Sequence, residues 1–402
     1  MIMKSLFLGV TALAMASSAA VAGNVSFDAA RSMGKLNAAS LSPHRNLIVP
    51  FAADINDTYF RVGASEYSGV GGMVMNTRSM DLMGFVGLCT GSFIAPQVVL
   101  TAAHCVDSSD LYRVRFRTGA GTVSPGFVQY EASHVYIHQN YDKNAFYEGW
   151  DIAALFLTTA ARNGEDIYNP YDIPFGERFE FHTKVGFGTT GNGAGTVRTL
   201  DLVKRAGQNN YEFYGDEVFS DINSNGLIYD MDSGSPVNDL NGLLGQLLFG
   251  TSLFEDAGIY FSPSRGQFSY GFPFGPPTGG LDDWRLVESG AAGGDSGGPT
   301  FIDGKIAGIT SWGINNLFGD CGTPDGIDFS CRSGSWGDMG GDTRVSAFLK
   351  EVYALQEYDG DMRRWLRTNS AGLFAFSLPT PSSLILFGLG AVGLAAARRR
   401  RG

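Results

Sequence analysis

The sequence predicts an all-β fold, a barrel or sandwich assembled from many short strands. Two observations carry this. Glycine is frequent, at 55 of 402 residues, while Lys and Arg together number 29, a balance that favours turn-rich β structure over helix. Short runs of β-branched and aromatic residues also recur at regular intervals between Gly, Asn and Asp turn signals, the pattern of a barrel or sandwich rather than of alternating strands and helices.

Taken from the N-terminus, residues 1–22 read as a secretory signal peptide. Met1 to Lys4 is short and positive, Leu6 to Ala16 is apolar, and Ala20-Val21-Ala22 is a small-residue cleavage site. The apolar run is short for a membrane anchor. Residues 23–61 are polar and weakly patterned, a propeptide or lead. From Val62 to Thr159 the chain reads as strands, clearest at Val98–Thr101, Tyr112–Arg117 and Ile152–Leu157. A second strand-rich region starts near Val185 to Gly188 and resumes at Pro299–Ile302 and Ile306–Trp312. Residues 207–290, rich in Gly, Phe, Tyr, Asn and Asp, read as an insertion. Val345, Phe348, Leu349, Val352 and Tyr353 have helical spacing and mark a helix to about Ala354. Residues 369–382 read as a linker, and 383–402 as a terminal segment.

Net charge is −11, and basic residues concentrate only at the extreme C-terminus. Nucleic-acid binding therefore has no electrostatic support. Within the insertion, Asp221, Asn223, Asn225, Gly226 and Asp232 follow the oxygen spacing of a calcium loop, with Asp where Glu closes the usual loop. The same residues are ordinary turn makers.

Three short motifs carry chemistry. Thr101-Ala102-Ala103-His104-Cys105 comes first, Asp151-Ile152-Ala153-Ala154-Leu155 second, and Gly294-Asp295-Ser296-Gly297-Gly298-Pro299 third. A serine hydroxyl is a weak nucleophile at neutral pH and needs an adjacent base. His104 is of the right type, because imidazole titrates near working pH. An aspartate such as Asp151 fixes the imidazole tautomer and stabilises the imidazolium. Glycines around Ser296 let the backbone turn tightly and aim its N–H groups at one point. The stretch Asp232-Ser233-Gly234-Ser235-Pro236 lacks the glycine pair and the following strand. His44, His134, His138 and His182 read as structural or surface residues.

The order His104, Asp151, Ser296 is that of the chymotrypsin-type triad. With Leu88 to Ile94, Val98-Val99-Leu100, Val135 to Tyr141 and Ile309-Thr310-Ser311-Trp312-Gly313, the chain resembles the trypsin/chymotrypsin family of serine endopeptidases from about Val62 to Leu349. The resemblance implies two six-stranded antiparallel β-barrels with a C-terminal helix, the triad lying in the cleft between the barrels. It implies an oxyanion hole from the N–H groups of Gly294 and Ser296, and a protease domain over 62–368. It implies that cleavage after Arg61 frees Val62, whose ammonium pairs with Asp295. It places Gly290, six residues before the serine, at the base of the specificity pocket, and Ser311, Trp312 and Gly313 against the substrate backbone. Asp342 is a further candidate for the pocket base. The resemblance also implies a Cys89–Cys105 disulfide, and elimination and proximity then pair Cys321 with Cys331. The bridge often found beside the serine is absent, since Ala292 stands there.

The C-terminal end resembles a PEP-CTERM sorting signal of Gram-negative bacteria: Leu378 to Ser382, an apolar run from Leu384 to Ala397, then Arg398 to Arg401. Thr380 stands where that signal usually has an acid. The resemblance implies an exported or surface-attached enzyme, with an exosortase-like sorting enzyme and the membrane as partners. A plain tail anchor is the competing reading. The activity implied is peptide-bond hydrolysis through an acyl-enzyme on a protein or peptide substrate, with no cofactor required. The rivals are an esterase, which the triad order opposes, and a surface protein using the barrels for binding alone.

Overall fold

The computed structural model describes residues 49–50, 60–83, 86–121, 126–162, 164–191, 200–230, 259–262, 267–270, 285–286, 288–314, 339–369 and 375–378. The expected signal segment, most of the 23–61 lead, Cys321 and Cys331, the Asp232–Pro236 stretch and the 383–402 segment lie outside them. Among the described residues no helix is long and apolar enough to cross a membrane.

The first barrel is built from β1 (Val70–Thr77), β2 (Gly87–Ala95), β3 (Val98–Thr101), β4 (Leu111–Thr118), β5 (Val128–Ile137) and β6 (Ala153–Leu157). Every neighbouring pair is antiparallel, and β5 pairs with β6, so the six strands close into a ring. Sequence pattern explains which side faces in. On β4, Val114, Phe116 and Thr118 are buried while Arg113, Arg115 and Arg117 are only half-buried, the period-two alternation of a strand with one wet face. β3 and β6 are buried at every position and read accordingly as unbroken apolar runs. At the centre the Phe93 ring meets Phe116 at 5.1 Å and Tyr130 at 5.3 Å, both edge-on. Each such fully buried ring contributes about 2–3 kcal/mol.

The second barrel comprises β7 (Phe181–Gly186), β8 (Arg205–Asn210), β9 (Phe213–Tyr214), β10 (Gly226–Tyr229), β11 (Pro299–Ile302), β12 (Lys305–Ile314) and β13 (Met339–Arg344). The sheet runs β8-β7-β11-β12-β13-β10-β9. Its two ends are one stretch of chain: only Tyr211 and Glu212 separate β8 from β9. The chain therefore bends from its β7 partner to its β10 partner and draws the sheet round on itself. The expected pair of antiparallel barrels is present as one closed six-stranded ring and one seven-stranded half-barrel.

Three expectations need correction. Residues 207–229, read as the start of an insertion, carry most of β8 together with β9 and β10. The extra chain begins after Asp230, and within it 259–262, 267–270 and 285–286 form a small antiparallel sheet. Its two stems are held together: Asn209, fully buried, donates from Nδ2 to the carbonyls of Asp230 (2.7 Å) and Ser289 (2.9 Å). The closing helix starts as a 3₁₀ turn over Val345–Phe348 and becomes α1 only at Leu349–Gln356. The 369–382 stretch is not all linker, because β14 (Ala375–Ser377) pairs antiparallel with β5. Before it, α2 (Met362–Thr368) is capped by Asp361, whose carboxylate accepts the Arg364 N–H at 3.1 Å. It sets Trp365 against Phe156 of β6 at 4.9 Å.

Candidate active site

His104 stands on the 3₁₀ turn Ala103–Cys105 that follows β3. Two ties fix that turn. The Cys89–Cys105 disulfide binds it to β2, and the Thr101 hydroxyl donates to the Thr90 carbonyl at 2.9 Å. Asp151 lies just before β6, fully buried. Its Oδ1 accepts the His104 backbone N–H at 2.8 Å, and its Oδ2 lies 2.6 Å from His104 Nδ1. The Ser311 hydroxyl donates to the same Oδ2 at 2.6 Å, and Thr343 Oγ1 to the Asp151 carbonyl at 3.2 Å. The buried carboxylate is thus held from three sides. With Nδ1–H directed at Asp151, Nε2 is left as the acceptor nitrogen of the neutral ring. That Nε2 is buried and has no hydrogen-bond partner among the described residues.

Ser296 is buried in the turn before β11. Gly294 (φ 106°) and Gly297 (φ 79°) adopt left-handed backbone that only glycine takes without strain. At Gly297 a side chain is also excluded by space: a Cβ would lie 2.1 Å from Thr101 Oγ1 and 2.5 Å from the Thr90 carbonyl. The turn is pinned by Asp295 N–H to Ala292 O (2.8 Å), Gly297 N–H to Thr310 O (2.8 Å) and Gly298 N–H to Asp295 O (2.7 Å). It is seated against the histidine side as well. The Ser296 carbonyl accepts from Thr90 N–H at 2.8 Å and lies 3.6 Å from Cys105 Sγ.

Asp295 turns inward. Its carboxylate accepts from Gly188 N–H (2.7 Å) and Ala292 N–H (2.9 Å), and burial pushes its pKa up to about 6 despite those donors and the charges of Arg205 and Lys184. A small cavity of about 20 Å³ adjoins it, lined among others by Gly188, Arg205, Ser289, Gly290 and Thr310. Val62 is elsewhere in the uncut chain. Its N–H donates to Lys204 O at 3.3 Å, Ala206 N–H donates to Phe60 O at 2.9 Å, and Arg61 bridges to Arg205. Arg205 is in turn paired with Gly186, whose Cα abuts the Asp295 carboxylate. Arg61 thus sits two strand spacings from Gly186, roughly 10 Å.

The expected substrate residues divide. Gly290 lines the cavity. Ser311, Trp312 and Gly313 lie on β12, where Trp312 and Gly313 pair with Gly341 and Gly340 of β13, while the β11 ladder ends at Ile309. The Ser311 hydroxyl is bound to Asp151, and Trp312 is buried against Phe219 at 5.9 Å. Asp342 is a correction. It is fully buried inside the second barrel, and its Oδ2 accepts from Lys184 Nζ (2.5 Å), Tyr211 OH (2.5 Å) and Thr300 Oγ1 (2.6 Å). A carboxylate so paired is an internal ion partner rather than the floor of a pocket. Burial lowers the Lys184 pKa even so, with Asp342 opposing. In the candidate calcium stretch, Asn223 Oδ1 takes the Asn225 N–H at 2.8 Å, which is turn chemistry. His138 stacks on Trp150 at 5.2 Å, and His182 is fully enclosed beside Tyr211, as structural histidines. The motifs gave no sign of Thr90 or Thr343, because threonine is an ordinary strand residue.

With this geometry in place, the comparisons add the following. Residues 70–261 match the trypsin family model, a stretch that holds His104 and Asp151 and stops before Ser296. The chain is 25% identical to hypodermin-B of Hypoderma lineatum over 225 residues, covering 56% of this chain and 67% of that protein. It is 26% identical to a trypsin of Simulium vittatum over 232 residues, covering 58% and 72%. Over 74 residues, 18% of this chain and 28% of that protein, it is 35% identical to chymotrypsin-like elastase family member 1 of Bos taurus. Among solved structures it is similar to HL collagenase, with 15% identity and a TM-score of 0.46 over 76% of this chain and all of that one. Residues 70–261 are thus similar to a trypsin-like serine protease domain.

Proposed function

We propose that this chain is an exported serine endopeptidase that cleaves peptide bonds through an acyl-enzyme. The observation that carries the reading is the His104–Asp151 pair, with Nδ1 and Oδ2 2.6 Å apart, on the same β2–β3 framework that seats the Ser296 turn. Ser296 Oγ attacks the substrate carbonyl carbon as its proton passes to His104 Nε2. Asp151 stabilises the imidazolium, and the proton then goes to the leaving amine. Water, deprotonated by His104, releases the acyl group and restores the serine. The N–H groups of Gly294 and Ser296 receive the oxyanion, each such donor being worth roughly 3–4 kcal/mol in the transition state. Substrate backbone adds along Ser311–Gly313. Gly290 gives the pocket base no charge at that position. Cleavage after Arg61 releases Val62 to pair with Asp295.

The Cys89–Cys105 disulfide belongs to an oxidising compartment. Together with the expected 1–22 signal segment and sorting-like tail, it supports a place outside the cytoplasm, on or released from the cell surface. The test is labelling by a fluorophosphonate probe, on full-length protein and on protein cut to begin at Val62. We expect labelling that is abolished in Ser296→Ala. Equal labelling of wild type and Ser296→Ala, or none in either form, would make the chain a binding protein on this fold.

A further inference from the structure

Resting on that reading, we infer that Thr90 is a positioning residue that couples the histidine strand to the nucleophile turn and presets the oxyanion loop. Thr90 lies on β2 beside Cys89 and is fully buried. All its polar groups are engaged, and they reach three separate parts of the site. The hydroxyl donates to the Gly294 carbonyl at 2.8 Å and accepts the Phe187 N–H at 3.3 Å. The backbone N–H donates to the Ser296 carbonyl at 2.8 Å. The backbone carbonyl accepts from Thr101 Oγ1 at 2.9 Å, three residues before His104. The glycines of the turn close around it: a Cβ at Gly298 would approach Thr90 Cγ2 to 3.3 Å.

The hydroxyl bond matters for a particular reason. Gly294 has left-handed backbone, and glycine there reaches several conformations at little cost. The Thr90 hydroxyl fixes the carbonyl of this freely turning residue. Its other bond is to the segment Phe187–Gly188, and Gly188 N–H also holds the Asp295 carboxylate. Thr90 Oγ1 thus restrains the oxyanion turn from one side and the Asp295 support from the other. The backbone bonds to Ser296 and Thr101 would survive any side chain. The preset of Gly294 depends on a hydroxyl.

The test uses Thr90→Val, Thr90→Ala and Thr90→Ser in the full chain, or in the Val62-terminated form if only that form labels. The reading is the limiting rate of fluorophosphonate labelling and, separately, the concentration giving half that rate. We expect Val and Ala to lower the limiting rate roughly 30-fold or more, below the effect of deleting an oxyanion donor outright. The half-saturating concentration should stay within about threefold, and Ser should hold the limiting rate within about threefold, as only a hydroxyl-dependent preset requires. Wild-type rates in Val and Ala would overturn the inference while leaving the protease reading intact. So would a loss in Ser as large as that in Val. Thermal melts supply the control: if Val and Ala unfold while Ser stays folded, the hydroxyl serves the fold and the inference fails. If wild type and Ser296→Ala are alike unlabelled in both chain forms, the protease reading falls first and this one with it.

Discussion

The two barrels differ in what they bury. The first closes by hydrogen bonds all the way round and fills its centre with Phe93, Phe116, Tyr130 and Phe156. The second is a half-barrel curved by the bend between β8 and β9, and it holds a charged cluster in its interior. Lys184 and Asp342 are paired there, with Lys184 Nζ 3.8 Å from the Tyr229 ring centroid and His182 against Tyr211. The division matches the labour within the site. His104 and Asp151 stand on the apolar barrel, whose packing admits one arrangement. The Ser296 turn and the Asp295 cavity belong to the barrel with polar contents. A buried ion pair specifies geometry more than it stabilises.

The contrast is sharpest at Lys184. Lys184→Met leaves the Asp342 carboxylate buried without its ammonium and should destabilise the protein by about 3–5 kcal/mol. Adding Asp342→Leu should recover most of that loss. Urea denaturation of the single and double variants measures both. A Lys184→Met protein as stable as wild type would remove the distinction between the barrels.

Asp295 gives the next largest effect, and it is a function of pH. Burial raises this carboxyl from 3.8 to about 6 in the folded protein. A carboxyl raised on folding favours the folded state fully below its ordinary pKa and loses that favour as pH rises through the folded value. Between pH 4 and pH 7, the stability of Asp295→Asn relative to wild type should therefore rise by about 2 kcal/mol. Urea midpoints at the two pH values read this directly. A difference that does not change with pH would mean that Asp295 already has a full counter-ion.

The smallest effect lies on the outside of the first barrel. Arg113 binds Glu131 through two bonds, at 3.0 and 2.6 Å, but both side chains are well exposed to water. Glu131→Gln should cost about 0.5 kcal/mol or less. A loss of several kcal/mol would mean that the surface charge of this barrel contributes as much as the interior charge of the other.

The same contrast governs how much was legible in the sequence. Strands that are buried on both faces could be read to the residue, as at Val98–Thr101 and Pro299–Ile302. The three catalytic candidates stood out because glycines and small residues frame them in short motifs. The strands Arg205–Asn210, Phe213–Tyr214 and Gly226–Tyr229 were taken for insertion, since they are short and mix Asn, Gln and Gly with apolar residues. They line a polar interior, so no alternation betrays them. Asp342 was read as facing a pocket because its partner Lys184 is 158 positions away. The Ser311 hydroxyl holds Asp151 from 160 positions away, a role that the strand pattern around it does not announce. Pairings at such separations leave no local pattern. Nor does a three-residue strand such as Ala375–Ser377, which exists only because β5 offers it an edge.

The grip of Asn209 on the carbonyls of Asp230 and Ser289 has a bearing on how this molecule could vary. With both stems clasped by one side chain, the excursion between them is anchored like a ring on a fixed mount. The entropy of closing such a ring grows only with the logarithm of its length, so each doubling or halving shifts closure by about 0.6 kcal/mol. Segments of very different size and sequence could be exchanged at this mount while the strands behind it keep their register. Because the mount opens beside Gly290, whatever is exchanged there would border the pocket.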